Sequence, residues 1–84
     1  MRCVRMFERA ITVNDVRQVL ATGDTIREYR DDRPYPSRLV LGWSEGRPIH
    51  VLVADDPDRQ LTVVITAYIP DPERWEPGYR RRKR

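Results

Sequence analysis

The apolar positions of this chain change period near residue 23. Before that point they recur at helical spacing, and after it they alternate. In residues 1–10, Cys3, Met6, Phe7 and Ala10 fall on one helix face and Arg2, Arg5 and Arg9 on another. No start signal precedes them, which predicts a helix beginning at or before residue 1. Residues 12–22 read as a second, better punctuated helix. Thr12 is the N-cap, Asp15 completes a capping-box variant, and Ile11 and Val16 stand where a hydrophobic staple needs them. Val13, Val16, Val19 and Leu20 make the apolar stripe, and Gly23 is expected to end the helix as a left-handed cap.

Four strands are predicted next, over residues 24–30, 38–43, 48–54 and 60–69. The first is the weakest and ends at the breaker Asp31-Asp32-Arg33-Pro34. Ser44-Glu45-Gly46-Arg47 is a short turn, and Asp55-Asp56-Pro57-Asp58 a second. Pro70 and Pro72 lack N–H donors, so residues 60–69 must be the last strand of the sheet. Connections this short dictate antiparallel neighbours. The expected fold is an α+β domain: two N-terminal helices packed on a four-stranded antiparallel meander, in the order α-α-β-β-β-β.

Period-two alternation then divides the sheet residues. With residues 55–59 closing the last hairpin, residues 50 and 64 lie opposite. Ile49, Val51, Val53, Leu61, Val63, Ile65, Ala67 and Ile69 would meet the helices, and His50, Thr62, Val64, Thr66 and Tyr68 would form an open polar face. Leu39, Leu41 and Trp43 share one face of the second strand. A two-residue turn at Glu45-Gly46 would set His50 beside Leu41 and mix apolar groups into that polar face.

Composition narrows this picture. Eighty-four residues, 39% hydrophobic and 35% charged, suit one small polar domain whose core is marginal, so binding to a partner or to itself is expected. The net charge of +3 misleads. Residues 80–84 are all basic, which leaves 11 basic and 13 acidic side chains in residues 1–79. The domain, residues 1–79, is therefore near neutral, and residues 80–84 read as a disordered basic tail open to any polyanion or simply solvated. Cys3 is the single cysteine, excluding an internal disulfide and fitting a reducing cytosol. No segment is apolar enough to be a membrane span or a secretion signal. The expected location is cytoplasmic, with no membrane partner.

The ordered pieces Arg5-Met6-Phe7-Glu8-Arg9-Ala10-Ile11, Asp15-Val16 through Gly23, Tyr35-Pro36-Ser37-Arg38-Leu39-Val40-Leu41-Gly42, Gly46-Arg47-Pro48-Ile49-His50-Val51 and Thr66-Ala67-Tyr68-Ile69-Pro70-Asp71-Pro72-Glu73-Arg74-Trp75 carry a resemblance. Together they resemble a bacterial domain-of-unknown-function family, DUF4258, over nearly all of residues 5–75. That family looks like distant kin of the BrnT and RelE toxins, small ribonucleases with helices on an antiparallel sheet. The resemblance implies a metal-independent ribonuclease acting on RNA and a small inhibitor (antitoxin) protein as partner. Members of the family often carry a histidine four residues before the Arg-Met pair. Met1 stands there in this chain, so no role of that histidine is carried over.

RelE-type cleavage uses the RNA's own 2′-OH and asks the protein for an acid, a base and cations on the phosphate. His50, the single histidine, suits proton transfer, with Tyr68 assisting. Arg47, Arg74, Arg5 and Arg9 are the phosphate-binding candidates and Trp75 a base-stacking one. Each has a structural alternative. His50 would be a hydrogen-bonded strand residue, Tyr68 a sheet-edge cap, Trp75 a plug over the sheet end, and Arg2, Arg5 and Arg9 a solvated helix face. Asp55, Asp56 and Asp58 fit a turn and lack the ligand series of a calcium loop. No Gly-rich phosphate loop, metal-ligand cluster or serine elbow is present, and no cofactor is expected. Two further readings stand beside the ribonuclease: a non-catalytic module binding protein or nucleic acid, and a self-associating homo-oligomer paired through sheet edges.

Overall fold

The structure, a computed structural model, describes residues 2–3 and 11–83. Its elements are β1 (Arg2–Cys3), α1 (Val13–Thr22), β2 (Asp24–Tyr29), β3 (Ser37–Ser44), β4 (Arg47–Asp56) and β5 (Leu61–Tyr68). The four expected strands are all present, and β2 to β5 form an antiparallel meander. The two-helix layer is not: among the described residues α1 is the one helix. Within the first predicted helix, Arg2 and Cys3 instead pair in parallel with Val63 and Val64 of β5, giving the sheet order β1-β5-β4-β3-β2. The backbone of β5 would otherwise leave that stretch of its edge unpaired, and two residues of chain satisfy it. The remainder of that predicted helix lies outside the described residues.

Helix α1 starts as its sequence dictates. The Thr12 hydroxyl accepts from the Asp15 N–H (3.1 Å), and the Asp15 carboxylate accepts from the Thr12 N–H (2.9 Å), a complete capping box. Ile11, Val16 and Val19 enter the core with Val40, Ile49, Val51, Val53, Val64 and Ala67. Val13, placed on the stripe by its spacing, is 50% exposed at the helix's first position. Gly23 is not a left-handed cap. Its backbone is extended (φ −82°, ψ 173°), and its N–H donates to the Val19 carbonyl at 2.7 Å.

Glu45 and Gly46, at φ 54° and 76°, close the β3–β4 hairpin in two residues, the mirror-image turn that matches strand twist. The register follows: His50 lies opposite Leu41. The β4–β5 hairpin departs from expectation. β4 runs on to Asp56, whose carboxylate accepts from the Asp58 and Arg59 N–H groups (3.0 and 3.2 Å) to shape the turn. His50 therefore pairs with Tyr68, not with residue 64. A bulge lies opposite the Leu52–Val53 step, where Ile65 is the extra residue. It reverses the alternation within β5. Ala67 faces α1 as predicted, but Val64 faces it too, and Leu61 and Val63 fall on the other side, the reverse of the faces predicted for those three.

One carboxylate ties the helix to the first hairpin. Asp15 accepts from the Ser44 hydroxyl (2.6 Å) and pairs with Arg47 (3.0 Å), the two residues that flank the Glu45-Gly46 turn. The Ser44 hydroxyl, then the Thr12 N–H, with Arg47 adding to them, pull its carboxyl down to about 2 from 3.8. This stabilisation is complete above pH 3.8 and is lost as the pH falls through about 2. Asp15→Asn is therefore expected to lower stability near neutrality and to flatten the loss of stability between pH 4 and 2, read from denaturant midpoints across that range. An unchanged acid slope would show that Asp15 is not the group responsible.

Candidate functional site

The face of the sheet away from α1 carries Leu39 and Leu41 of β3, His50 and Leu52 of β4, and Thr66 and Tyr68 of β5. It is not bare. After β5 the chain turns at Pro70, and residues 70–83 return across it as a strap. Asp71 starts the return: its carbonyl accepts from the Arg74 and Trp75 N–H groups, and its carboxylate from the Glu73 N–H. Glu76-Pro77-Gly78-Tyr79 is then a turn closed by Tyr79 N–H to Glu76 O (2.8 Å). Pro77 occupies its second position and Gly78, at φ 92°, its third, as a type II turn requires. Trp75 and Arg82 pair across it, held by Glu76 N–H to Arg81 O and Lys83 N–H to Arg74 O, both 2.8 Å. Arg80 reaches Asp24 of β2 at 2.6 Å. Residues 80–83, expected as a disordered tail, are thus one side of a small hairpin. Backbone groups decide this, and the charge of the side chains does not oppose it because Arg80 pairs with Asp24 and Arg81, Arg82 and Lys83 are exposed.

The strap seals His50, which is 0% exposed. The Tyr79 carbonyl can only accept, so the Nε2–H of His50 donates to it (2.8 Å); Nδ1 then accepts from the Tyr68 hydroxyl (3.2 Å). The rings of Trp75 and Tyr68 stand edge-on to the imidazole at 4.4 and 5.3 Å. Burial pushes the His50 pKa below 6.5, only partly countered by the Tyr79 carbonyl, so the ring is neutral at pH 7. Both nitrogens are occupied and no surface of the ring meets solvent. An acid–base group must reach its substrate's proton, and this one reaches only protein.

The other candidates separate. Arg47 is on the α1 side of the sheet, paired with Asp15, and does not join His50. Trp75 is 8% exposed and lies against His50, with the Arg82 guanidinium 6.0 Å from its ring centroid, so it plugs the sheet end. Arg5 and Arg9 lie outside the described residues. Tyr68 and Arg74 do come together. With Ile69, Asp71, Trp75 and Arg82 they line a pocket of ≈ 330 Å³ at the end of β5. Among the described residues, neither Arg74 nor Arg82 has an ion-pair partner, and both are exposed. Burial pushes the Tyr68 phenol up from 10.0, Tyr29 adds to the rise, and Arg82 opposes it.

The family model described as Domain of unknown function (DUF4258) matches residues 4–69. The chain belongs to this family. The matched DUF4258 span holds α1, the meander, His50 and Tyr68; it ends at Ile69, so the strap that closes over His50 follows it. No curated protein and no solved structure matches this DUF4258 chain. Among the described residues, no group of His, Cys, Asp and Glu side chains could hold a metal ion, and no helix is long and apolar enough to cross a membrane. The acidic turn is used internally: Asp55 takes Arg38 (2.8 Å) and Thr62 (3.1 Å), and Asp56 shapes its own loop. Sequence reasoning missed Arg82 and Tyr79, and the signal for both was the Pro77-Gly78 pair, which announces a chain reversal where a tail was expected.

Proposed function

We propose that this protein is a non-catalytic binding module for nucleic acid, engaging backbone phosphate at the Tyr68–Arg74–Arg82 pocket. The observation that supports this is the pairing of two exposed arginines, without carboxylate partners among the described residues, beside a phenol and next to a histidine withdrawn from solvent. Guanidinium forks and a hydroxyl are the donors a phosphate oxygen takes. In this reading His50 is a structural residue that anchors the strap, and Trp75 is its plug. The near-neutral body keeps the footprint small, because affinity for a polyanion follows the number of phosphates neutralised.

The test is retention of single-stranded RNA as a function of salt, with chelator present. The parent is expected to bind without cleaving. Arg74→Ser combined with Arg82→Ser should weaken binding at least tenfold and reduce the slope of log K against log salt by about 0.7, the value for one single-strand phosphate that is no longer neutralised. An unchanged slope would place binding elsewhere. Cleavage in chelator that vanishes in His50→Gln would replace the module with the metal-independent ribonuclease that the BrnT and RelE resemblance implies.

A further inference from the structure

Tyr68 lines a second cavity as well. On the uncovered half of the same sheet face, Tyr29, Asp32, Leu39, Leu52 and Tyr68 enclose ≈ 310 Å³. The two cavities have one lining residue in common, Tyr68, so they adjoin each other. Their chemistry differs. The first holds Arg74 and Arg82 with one carboxylate, that of Asp71, which accepts from the Glu73 N–H; the second holds two tyrosines and two leucines, with Asp32 held by a hydrogen bond from the Ser37 hydroxyl. Two guanidiniums outweigh one carboxylate at the first and attract a phosphate, while the Asp32 carboxylate at the second repels one, so the pair of cavities has a direction.

We infer that the Tyr29–Leu39–Leu52–Tyr68 cavity is a base-binding subsite, and that the ligand is a single-stranded nucleic acid whose phosphate sits on Arg74 and Arg82 while the attached base lies against the tyrosines. This rests on the phosphate-binding reading above and extends it from a charge to a whole nucleotide. Charge complementarity selects the occupant: a neutral planar group tethered to an anion matches an apolar aromatic floor tethered to two cations. A base already stacked in a duplex cannot supply it, because its faces are covered by its neighbours. Aromatic side chains on an open sheet face hold bases in this way without needing a particular sequence.

Fluorescence anisotropy with three labelled probes separates the possibilities: a single-stranded oligonucleotide, an abasic phosphodiester of the same length, and a duplex. The base-bearing single strand is expected to bind roughly five- to hundredfold tighter than the abasic strand, the range a stacked base supplies, and tighter than the duplex. Tyr29→Ala should abolish that preference while leaving abasic binding intact, and Tyr29→Phe, which keeps the ring, should retain it. Measurable and equal affinity for the base-bearing and abasic strands would overturn the base subsite and leave the phosphate site standing. Binding of neither strand would overturn both. Should Tyr29→Ala fail to fold, the comparison of probes on the parent and on Tyr29→Phe still decides.

Discussion

Replacing His50 by alanine is expected to destabilise the protein by about 3–5 kcal/mol, as for loss of a large buried ring, with two polar groups left unsatisfied besides. The imidazole is fully buried, it is the partner of the Tyr68 hydroxyl and the Tyr79 carbonyl, and Trp75 packs on it. At ~4–8 °C per kcal/mol for a domain of this size, the melting temperature should fall by more than ~12 °C. His50→Gln should recover part of this, since its amide offers one donor and one acceptor. A pH signature accompanies the loss. The folded imidazole resists protonation and the unfolded one does not, so the parent's stability is complete above pH 6.5 and declines as the pH falls from there toward the lowered folded value. In His50→Ala that decline should be absent. A variant that melts within ~5 °C of the parent, with the same slope between pH 6.5 and 5, would show that the strap does not depend on His50.

Gly23→Ala is expected to cost about 3 kcal/mol, at the upper end of overpacking penalties. A Cβ there would lie 2.5 Å from the Val19 carbonyl oxygen and 2.6 Å from that of Leu41, two backbone atoms fixed by helix and sheet. The reason is close approach, not backbone conformation, because φ is −82°. Two further substitutions distinguish these causes. A left-handed cap tolerates asparagine, so Gly23→Asn would be mild if conformation ruled; steric crowding makes it at least as damaging as alanine. Gly46, at φ 76° with nothing within 4 Å of its would-be Cβ, should accept asparagine with little change. Denaturant midpoints of the three variants settle the matter: a mild Gly23→Asn would defeat the close-approach account.

The capping box, the Glu45-Gly46 turn and the strand-by-strand meander of residues 24–69 were legible because each rests on neighbours a few residues apart. Thr12 and Asp15 announce a helix start whatever packs above it, and Glu45-Gly46 announces a tight reversal. The face assignment of β5 was not legible. Leu61, Val63 and Ile65 alternate as perfectly as a buried strand should, yet one bulge moves Val64 into the core beside Val53. Nothing local marks that bulge, since it is decided by how β5 fits against β4 and under α1. The site divided in the same manner. Tyr68 and Arg74 were found together because they are six residues apart at the end of one strand. Arg47 was placed with His50 by nearness in sequence, although three residues along a strand puts it on the opposite face, where the helix-capping Asp15 claims it.

By itself, then, the amino-acid order determined the types of α1 and β2 to β5, the antiparallel sequence of those four strands and the apolar run of β4, all products of short-range periodicity and turn chemistry. Tertiary structure alone decided that His50 is enclosed, that residues 80–83 are hydrogen-bonded, and that one tyrosine joins a cationic pocket to an apolar one. These depend on the chain doubling back after Pro70. Backbone N–H and C=O groups close that return, and they are the same in every residue, so a run of arginines gives no outward sign of it.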